Sequence, residues 1–342
     1  MIIHLNKTIK EADLKLLQDT LKDKGFKSVL SEGQKVVVGV LGTKEESDLD
    51  FLETLPLDYK LEKLNSSYKL VSRDFHPENS IINVDGLLIG GDEYVTMAGP
   101  CSVEGREQIF ETARMAAAGG AKVLRGGAFK PRTSPYDFQG LGEEGLQLMR
   151  EAADRYDLKM ITEVMDEGNL DLVCQYTDII QIGARNMQNF RLLEAVGRTG
   201  KPVALKRGIS GTINEWLHAA EYIAAQGNLN IIFIERGIRT YEQMTRNTFD
   251  LSAVPIIQGL SHLPIIVDPS HGVGVRECIK PMALAGLAAG ASGMIVEIHP
   301  DPNKAWSDGP QSLNEADYLE MMKEVAILEP TMKKIKKLRQ SK

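Results

Sequence analysis

The sequence predicts an α/β protein, a (β/α)8 TIM barrel preceded by a small ferredoxin-like α+β domain. Between residues 95 and 300 one unit occurs eight times: a short apolar run, a polar residue at its end, and a helix-like stretch. The runs are continuous and rich in β-branched residues, which is typical of parallel strands buried on both faces. Eight such units is the number that a closed barrel needs, and its C-terminal strand ends meet at one mouth.

The N-terminal segment has the order β-α-β-β-α-β, which is the split ferredoxin-like arrangement. MIIHLN reads as a strand, and TIKEADLKLLQDTLKDKG reads as an amphipathic helix. We expect Thr8 as its N-cap, Glu11 at the capping-box position and Gly25 as its C-cap. A hairpin around Glu32 and Gly33, a second helix in EESDLDFLETL and a last strand in YKLEKLN complete the unit.

The chain is expected to divide into a ferredoxin-like domain at residues 1–66, a linker with a hairpin at 67–92, and the barrel at 93–342. The hairpin, IINVDGLLIGGDE, could close the bottom of the barrel. A C-terminal helix is expected in EADYLEMMKEVAILEPTMKKIKKLRQ. The eight barrel strands are predicted, in order, in YVTMAGP, AKVLRGG, KMITE, DIIQIGAR, PVALKRG, NIIFIER, LPIIVDPSHG and SGMIVEIHP.

The composition is that of an ordinary globular protein, with 342 residues, 43% hydrophobic and 25% charged. The net charge of −7 argues against a general nucleic-acid binder. No apolar run approaches the roughly 20 residues that span a bilayer, and the N-terminus lacks a signal-peptide pattern. We therefore expect a cytoplasmic protein with no nucleic-acid or membrane partner. Three widely spaced cysteines make a disulfide framework improbable.

Four metal-binding side chains lie at or beyond strand ends. Cys101 follows strand one, His271 follows strand seven, Glu297 ends strand eight, and Asp308 lies in the loop after it. A thiolate, an imidazole and two carboxylates suit Mn, Fe, Co or Zn, and no CxxC spacing indicates a zinc ribbon. The alternative is that Cys101 is a small core residue and His271 a turn residue, but the location of all four at one rim favours a metal site.

Cationic side chains also follow the predicted strands. Buried cations are costly without partners, so a mouth lined by several of them predicts a ligand with more charge than one monocarboxylate. Some could instead pair with Glu163 or Glu235, and we expect this of Arg207 and Arg239. The full set is Arg125, Lys130, Arg132, Arg185, Lys206, Arg207, Arg236 and Arg239.

Gly140, Gly142 and Gly145 form a GxGxxG pattern. No strand leads directly into it, and two glutamates lie where a pyrophosphate would bind. We interpret it as a helix start rather than as a dinucleotide site.

These motifs together resemble the type I 3-deoxy-D-arabino-heptulosonate 7-phosphate (DAHP) synthases, and the N-terminal unit is similar to the regulatory extension of the Iβ branch. The resemblance covers the whole barrel, residues 73–342. The motifs that carry it are AGPCSVE (98–104), KPRTSPYDFQGLG (130–142), IQIGARNMQNF (180–190), LKRG (205–208), ERGIRT (235–240), DPSHGVG (268–274) and VEIHP (296–300).

The resemblance implies a metal-dependent condensation of phosphoenolpyruvate with D-erythrose 4-phosphate, giving DAHP and phosphate, the first step of the shikimate pathway. It implies one divalent ion, Mn²⁺ or alternatively Fe²⁺, Co²⁺ or Zn²⁺, on Cys101, His271, Glu297 and Asp308. Phosphoenolpyruvate would be held by Arg125, Lys130, Arg185, Lys206 and Arg236 with the Ala184 amide, and the aldose phosphate by Arg132, Thr133 and Ser134.

Further expectations concern catalysis and control. Lys130 is the candidate proton donor, and Glu163 either positions the attacking water or pairs with an arginine. We expect a homo-oligomer, a tetramer or a dimer, inhibited by tyrosine or phenylalanine through residues 1–66; the alternative is an oligomerisation or solubility module.

Three other functions stay open. The first is 3-deoxy-D-manno-octulosonate 8-phosphate synthase, whose relatives typically carry an Asn-Arg-Ser-type loop where this chain has residues 130–134. The others are another metal-dependent barrel aldolase and a non-catalytic amino-acid sensor.

Overall fold

A computed structural model describes residues 1–6, 8–32, 36–43, 45–63, 67–130, 134 and 136–340. It contains an N-terminal four-stranded sheet, a two-stranded hairpin and a closed eight-stranded barrel. The predicted fold class is therefore confirmed. No helix in these ranges is long and apolar enough to cross a membrane.

The N-terminal sheet is antiparallel throughout, with the strand order β2-β3-β1-β4. Helix α1 (Glu11–Asp23) and a 3₁₀ helix (Glu46–Thr54) cover one face through Leu17, Leu21, Leu49 and Leu52, which are all fully buried. The strands are β1 (Ile2–Leu5), β2 (Lys27–Glu32), β3 (Val36–Leu41) and β4 (Tyr59–Glu62).

The predicted capping of α1 is wrong at its N-terminus. The helix begins at Glu11 and its N-cap is Lys10, which makes no side-chain capping bond. The Thr8 hydroxyl donates instead to the Asn6 side chain at 3.1 Å, a local contact that competes with helix capping. At the other end Gly25, with φ +85°, follows the cap and takes the left-handed conformation that glycine favours.

The connector after the sheet packs on both domains. Ile2, Val29 and Val37 on the second face of the sheet share one buried cluster with Leu70 and Phe75. On the barrel side the carboxylate of Glu221 accepts the amides of Leu70 and Val71 at 2.9 and 3.1 Å.

The hairpin formed by β5 (Ile82–Val84) and β6 (Leu87–Ile89) fills the bottom of the barrel. Asp85 and Gly86 turn it with φ values of 44° and 92°, the positive pair typical of a type I′ turn. Its apolar side chains join one buried cluster with the inward-facing barrel residues, among them Ile161, Ile232 and Ile295.

All eight barrel strands lie where the sequence predicted them, and each pairs in parallel with its neighbour until β14 closes on β7. Their C-terminal ends therefore point to one mouth. The strands are β7 (Val95–Gly99), β8 (Val123–Arg125), β9 (Lys159–Val164), β10 (Ile179–Ile182), β11 (Val203–Lys206), β12 (Ile231–Glu235), β13 (Ile265–Val267) and β14 (Gly293–Glu297).

Helices follow the strands around the outside. Gly142 is the N-cap of α3, so the GxGxxG pattern is a helix start. Tyr318 on the C-terminal helix is fully buried and donates to the Ala116 carbonyl at 3.3 Å. The helices are α2 (Arg106–Ala118), α3 (Glu143–Arg155), α4 (Leu170–Tyr176), α5 (Phe190–Arg198), α6 (Ile213–Ala224), α7 (Ala253–Leu260), α8 (Pro269–Val273), α9 (Arg276–Ala289) and α10 (Glu315–Gln340).

Candidate active site

Three of the four expected metal ligands converge at the mouth. Cys101 follows β7, Glu297 ends β14, and Asp308 lies in the loop beyond β14. Their ligand atoms all lie within 4.8 Å of one another. Residues that are about two hundred positions apart thus present a sulfur and two carboxylates to one point, a donor set that suits a borderline divalent ion.

His271 lies beside this group on the short helix α8. Its Nε2 is 3.5 Å from Oε1 of Glu297, and its Nδ1 is 2.8 Å from Oδ2 of Asp268. Asp268 caps α8 by accepting the His271 amide at 3.0 Å. A carboxylate behind the imidazole is the usual arrangement that orients a metal-binding histidine, with the other ring nitrogen left for the ion.

The carboxylate of Glu297 is fixed from two sides. Arg125 donates to Oε1 at 2.5 Å and Gln311 donates to Oε2 at 2.7 Å. Burial alone would raise the pKa of Glu297, but His271 and Arg125 bring it below its usual range, so the carboxylate is charged at neutral pH.

Asp308 takes up a left-handed backbone conformation, with φ 54° and ψ 29°, at the start of a 3₁₀ turn. Its Oδ1 pairs with Arg246 at 3.2 Å and its Oδ2 lies 3.2 Å from Sγ of Cys101. Burial raises the pKa of Asp308, but His271 and Arg246 more than offset this, and it falls to about 2.

Cys101 is almost completely buried, and burial raises the pKa of its thiol to about 11. Lys130 Nζ lies 3.0 Å from Sγ and 2.9 Å from the Cys101 carbonyl, and Ser307 Oγ lies 3.1 Å from Sγ. A bound divalent ion would favour the thiolate, since a coordinating thiol loses its proton.

The cations form a second group in the same mouth. Arg125, Lys206 and Arg236 are each at most 5% exposed. Lys206 pairs with Asp268 at 2.7 Å, whereas Arg236 donates to the Gly237 carbonyl at 3.3 Å. Burial lowers the pKa of the Arg236 guanidinium; Asp268 and Glu235 oppose this shift, whereas neighbouring Arg246 and Arg185 add to it.

One buried donor in this group is not satisfied within the described ranges. Nε of Arg125 is inaccessible to solvent and meets no acceptor there, although Nη1 of the same side chain pairs with Glu297. Buried donors without acceptors are rare in folded proteins, so this atom suits an anionic ligand.

The predicted aldose-phosphate segment is described only in part. Arg132 and Thr133 lie outside the described residues. Ser134 accepts the Tyr136 amide at 3.2 Å through Oγ. The base of this loop is closed by the Lys130 amide, which donates to the Gln139 carbonyl at 2.9 Å.

Glu163 lies one residue before the end of β9 and accepts a hydrogen bond from Gln181 on β10 at 3.0 Å. A Cβ on Gly183 would lie only 2.1 Å from its Oε1, so the glycine makes room for this carboxylate. In the described part of the chain Glu163 has no arginine partner. Ala184 and the exposed Arg185 form the 3₁₀ turn that follows β10.

The two arginines that were expected to pair with carboxylates, Arg207 and Arg239, differ in the structure. Arg207 pairs with Glu235 at 3.0 Å and with Asp250 at 2.7 Å, as an internal ion pair should. Arg239 is exposed and forms no ion pair with any residue that the structure describes, so its predicted pairing is not seen.

Sequence reasoning missed Arg246, Ser307 and Gln311, which contact the candidate metal ligands directly. Arg246 and Ser307 lie in loops and Gln311 ends a short 3₁₀ turn, and no periodic pattern marks a strand end at these positions. The role of Asp268 could have been read from its position three residues before His271, which is N-cap spacing.

Comparisons with known proteins agree with this geometry. Residues 74–333 match the DAHP synthetase I family, and residues 1–57 match the DAHP synthase ferredoxin-like domain. The chain is 50% identical to a phospho-2-dehydro-3-deoxyheptonate aldolase of Thermotoga maritima, over 95% of this chain and 96% of that protein. A 2-dehydro-3-deoxyphosphooctonate aldolase of Syntrophobacter fumaroxidans is 30% identical, over 67% of this chain and 84% of its own.

Two solved structures are similar. The crystal structure of the Thermotoga maritima phospho-2-dehydro-3-deoxyheptonate aldolase (DAHP synthase) matches with a TM-score of 0.78 and 49% identity, covering 97% of this chain and 98% of that one. A truncated form of 3-deoxy-D-arabino-heptulosonate 7-phosphate synthase from Thermotoga maritima matches with a TM-score of 0.74 and 52% identity, covering 78% and 98%. The chain therefore belongs to the DAHP synthetase I family and is an enzyme of the DAHP synthase type.

Proposed function

We propose that this enzyme condenses phosphoenolpyruvate with D-erythrose 4-phosphate and requires one divalent metal ion, Mn²⁺ in the first instance. The observation that carries the proposal is the meeting of Cys101, Glu297 and Asp308 within 4.8 Å, beside His271 and a buried group of cations. Two phosphorylated substrates, one with a carboxylate, would supply the anions that this cationic mouth needs.

The four metal-binding side chains fit such an ion by their chemistry, and Asp268 would hold the His271 ring in place. The bound ion supplies Lewis-acid polarisation of an aldehyde oxygen. Arg125, Lys206 and Arg236 would bind the carboxylate and phosphate of phosphoenolpyruvate, with Arg185 and the Ala184 amide at the same ligand. Lys130 would also bind phosphoenolpyruvate, and Arg132, Thr133 and Ser134 would bind the phosphate of the aldose.

In the condensation, C3 of phosphoenolpyruvate forms a bond to the aldehyde carbon, and positive charge develops at C2. Water adds at C2, and phosphate leaves by cleavage of its C–O bond, giving the 2-keto sugar acid. Lys130, whose Nζ is 3.0 Å from Sγ of Cys101, would protonate the alkoxide formed from the aldehyde oxygen. Glu163 would orient the water. Fixed cations and proximity then supply much of the rate acceleration.

A phosphate-release assay tests this proposal. Phosphoenolpyruvate is offered with erythrose 4-phosphate, arabinose 5-phosphate and other aldose phosphates, with the sugar acid identified by mass. We expect turnover with erythrose 4-phosphate, loss of turnover on chelation, and recovery with Mn²⁺. Full activity of a verified metal-free sample would refute the metal requirement.

The same panel separates the alternatives. A preference for arabinose 5-phosphate would favour an octulosonate 8-phosphate synthase, the activity named for relatives at about 30% identity. An aldolase of another kind would release no phosphate, and a non-catalytic sensor would turn over none of the substrates.

We also propose that residues 1–66 form a regulatory domain that binds tyrosine or phenylalanine and that the enzyme is a homo-oligomer. The support is a small unit without catalytic side chains that matches the ferredoxin-like domain of this family and packs on the barrel through the connector. An effector acts only if it binds two conformations with different affinity.

A further inference from the structure

One buried carboxylate joins the two loops that carry Cys101 and Asp308. Glu104 lies three residues after Cys101, in the loop between β7 and α2. Its Oε1 accepts the backbone amide of Trp306 at 2.8 Å, and its Oε2 lies 3.3 Å from Nε2 of His299. The side chains of Glu104 and His299 are each only 7% exposed.

The tautomer of His299 follows from the hydrogen bond at its other ring nitrogen, Nδ1. Nδ1 accepts the Asp301 amide at 3.0 Å, so it carries a lone pair and the ring proton is on Nε2. Nε2 therefore donates to Glu104. Both oxygens of the Glu104 carboxylate thus accept hydrogen bonds from the loop that follows β14.

The loop that contains Glu104 is itself held in place. Gln108 accepts the Glu104 amide at 3.2 Å through Oε1 and donates to the Ser102 carbonyl at 3.2 Å through Nε2. Residues 101–108 are therefore tied to the start of α2. This gives Glu104 a fixed base from which it can hold the neighbouring loop.

The segment held by Glu104 leads directly into the metal-binding group. Ser307 and Asp308 follow Trp306 in the chain, and both lie against Sγ of Cys101, at 3.1 and 3.2 Å. The Trp306 ring also contacts the Phe138 ring at 4.9 Å between centroids, which links the loop to the segment that begins with Lys130.

We propose that Glu104 is a positioning residue for the metal centre: by binding Trp306 and His299 it sets the distance between Cys101 and Asp308. This inference rests on the proposed metal dependence. It predicts that Glu104, which is not among the metal ligands, controls the affinity for the ion.

The variant Glu104→Gln keeps the shape of the side chain but has only one accepting oxygen. Its amide nitrogen would face either the Trp306 amide or Nε2 of His299, and two donors cannot bond to each other. The His299 ring cannot offer Nδ1 as an acceptor instead, because Nδ1 already accepts the Asp301 amide. Residues that orient metal ligands typically contribute about 10- to 100-fold to metal affinity. We expect Mn²⁺ to bind metal-free Glu104→Gln protein at least about tenfold more weakly than wild type.

Two measurements on metal-free protein decide the matter: Mn²⁺ affinity by calorimetry, and amide exchange of residues 299–313 by mass spectrometry. We expect weaker binding and faster exchange of this loop together. Glu107→Gln is the matched control, because it removes the same charge from an exposed position three residues away. The control should match wild type in both measurements.

His299→Gln tests the same contact from the other loop, so the test survives if one variant fails to fold. Because both substitutions act on the contact between Glu104 and His299, the double variant should weaken Mn²⁺ binding by less than the two single effects combined. Unchanged Mn²⁺ affinity, or weaker binding without faster loop exchange, would overturn the proposal. A wild-type protein that bound no divalent metal would refute the metal dependence, and the exchange data would still show whether Glu104 holds the loop.

Discussion

A substitution of Cys101 distinguishes a metal ligand from a residue with a structural role, because only a ligand should affect Mn²⁺ binding. Its sulfur lies against Asp308, Ser307 and Lys130, which is a polar environment for a buried cysteine. Replacing sulfur by oxygen changes the ligand type but little of the volume.

We predict that Cys101→Ser weakens Mn²⁺ binding by about tenfold or more, since even residues behind the ligands contribute that much. Calorimetric titration of metal-free protein measures the loss. Cys278→Ser, at a half-buried position on α9, is the control and should bind Mn²⁺ like wild type. Equal metal content and rate in Cys101→Ser would show that the residue is structural.

Glu163 raises a second question at this scale, because its carboxylate bonds to Gln181 rather than to an arginine. If it orients the attacking water, Glu163→Gln should lower kcat by roughly 10²-fold or more while the KM for phosphoenolpyruvate changes little. Steady-state kinetics at saturating Mn²⁺ test this, with the exposed Glu167→Gln as the control. A wild-type kcat in this variant would show that Glu163 does not orient the water and only packs against Gly183.

Several site residues were within reach of sequence reasoning and others were not. Cys101, Arg125, Lys206, Arg236 and Glu297 end or follow continuous apolar runs, so the pattern that gives a strand also gives its end. Arg246, Ser307 and Gln311 belong to loops whose course depends on tertiary contacts. No local pattern indicates where such residues will lie.

At the scale of elements, the eight strands were predictable because burial on both faces leaves an uninterrupted apolar signal. The start of α1 was not, although Thr8 and Glu11 have capping-box spacing. The Thr8 hydroxyl bonds to the Asn6 side chain, and the N-cap lies two residues later than predicted, at Lys10. A short-range pattern therefore gives the existence of an element more securely than its first residue.

The N-terminal sheet is the element to which we assign regulation. Deleting residues 1–66 should leave phosphate release intact and abolish inhibition by tyrosine or phenylalanine. The solved truncated relative, which covers 78% of this chain, supports the folding of the remaining barrel. Inhibition curves for both proteins with each amino acid give the comparison, and inhibition that persisted after the deletion would contradict the assignment.

At the scale of the whole molecule, a buried histidine ties the connector to the barrel. His262 precedes β13; its Nε2 donates to the Leu70 carbonyl at 2.9 Å, and Ser80 donates to its Nδ1 at 2.7 Å. Burial lowers the pKa of His262 to about 4, against about 6.5 in an unfolded chain. Between these values the unfolded chain binds more protons, so the free energy of unfolding rises with pH.

We therefore predict that stability is lost as the pH falls from about 6.5 to about 4, with roughly 3 kcal/mol due to His262. Urea unfolding across this range measures the slope. His262→Gln should flatten the slope, even though it lowers stability at neutral pH by disturbing two hydrogen bonds. An unchanged slope in this variant would assign the acid sensitivity to other groups.

The small hairpin of β5 and β6 has a consequence for the path by which reactants enter and leave the site. Ile82, Val84 and Ile89 pack against the inward-facing strand residues, so within the described ranges the bottom of the barrel is closed and reactants reach the site through the mouth. The reactant that binds deepest must therefore bind before the second reactant and dissociate after it. If the proposed substrates are correct, an inert sugar phosphate bound at the mouth should slow the dissociation of phosphoenolpyruvate, and rapid-mixing experiments can measure the change in rate.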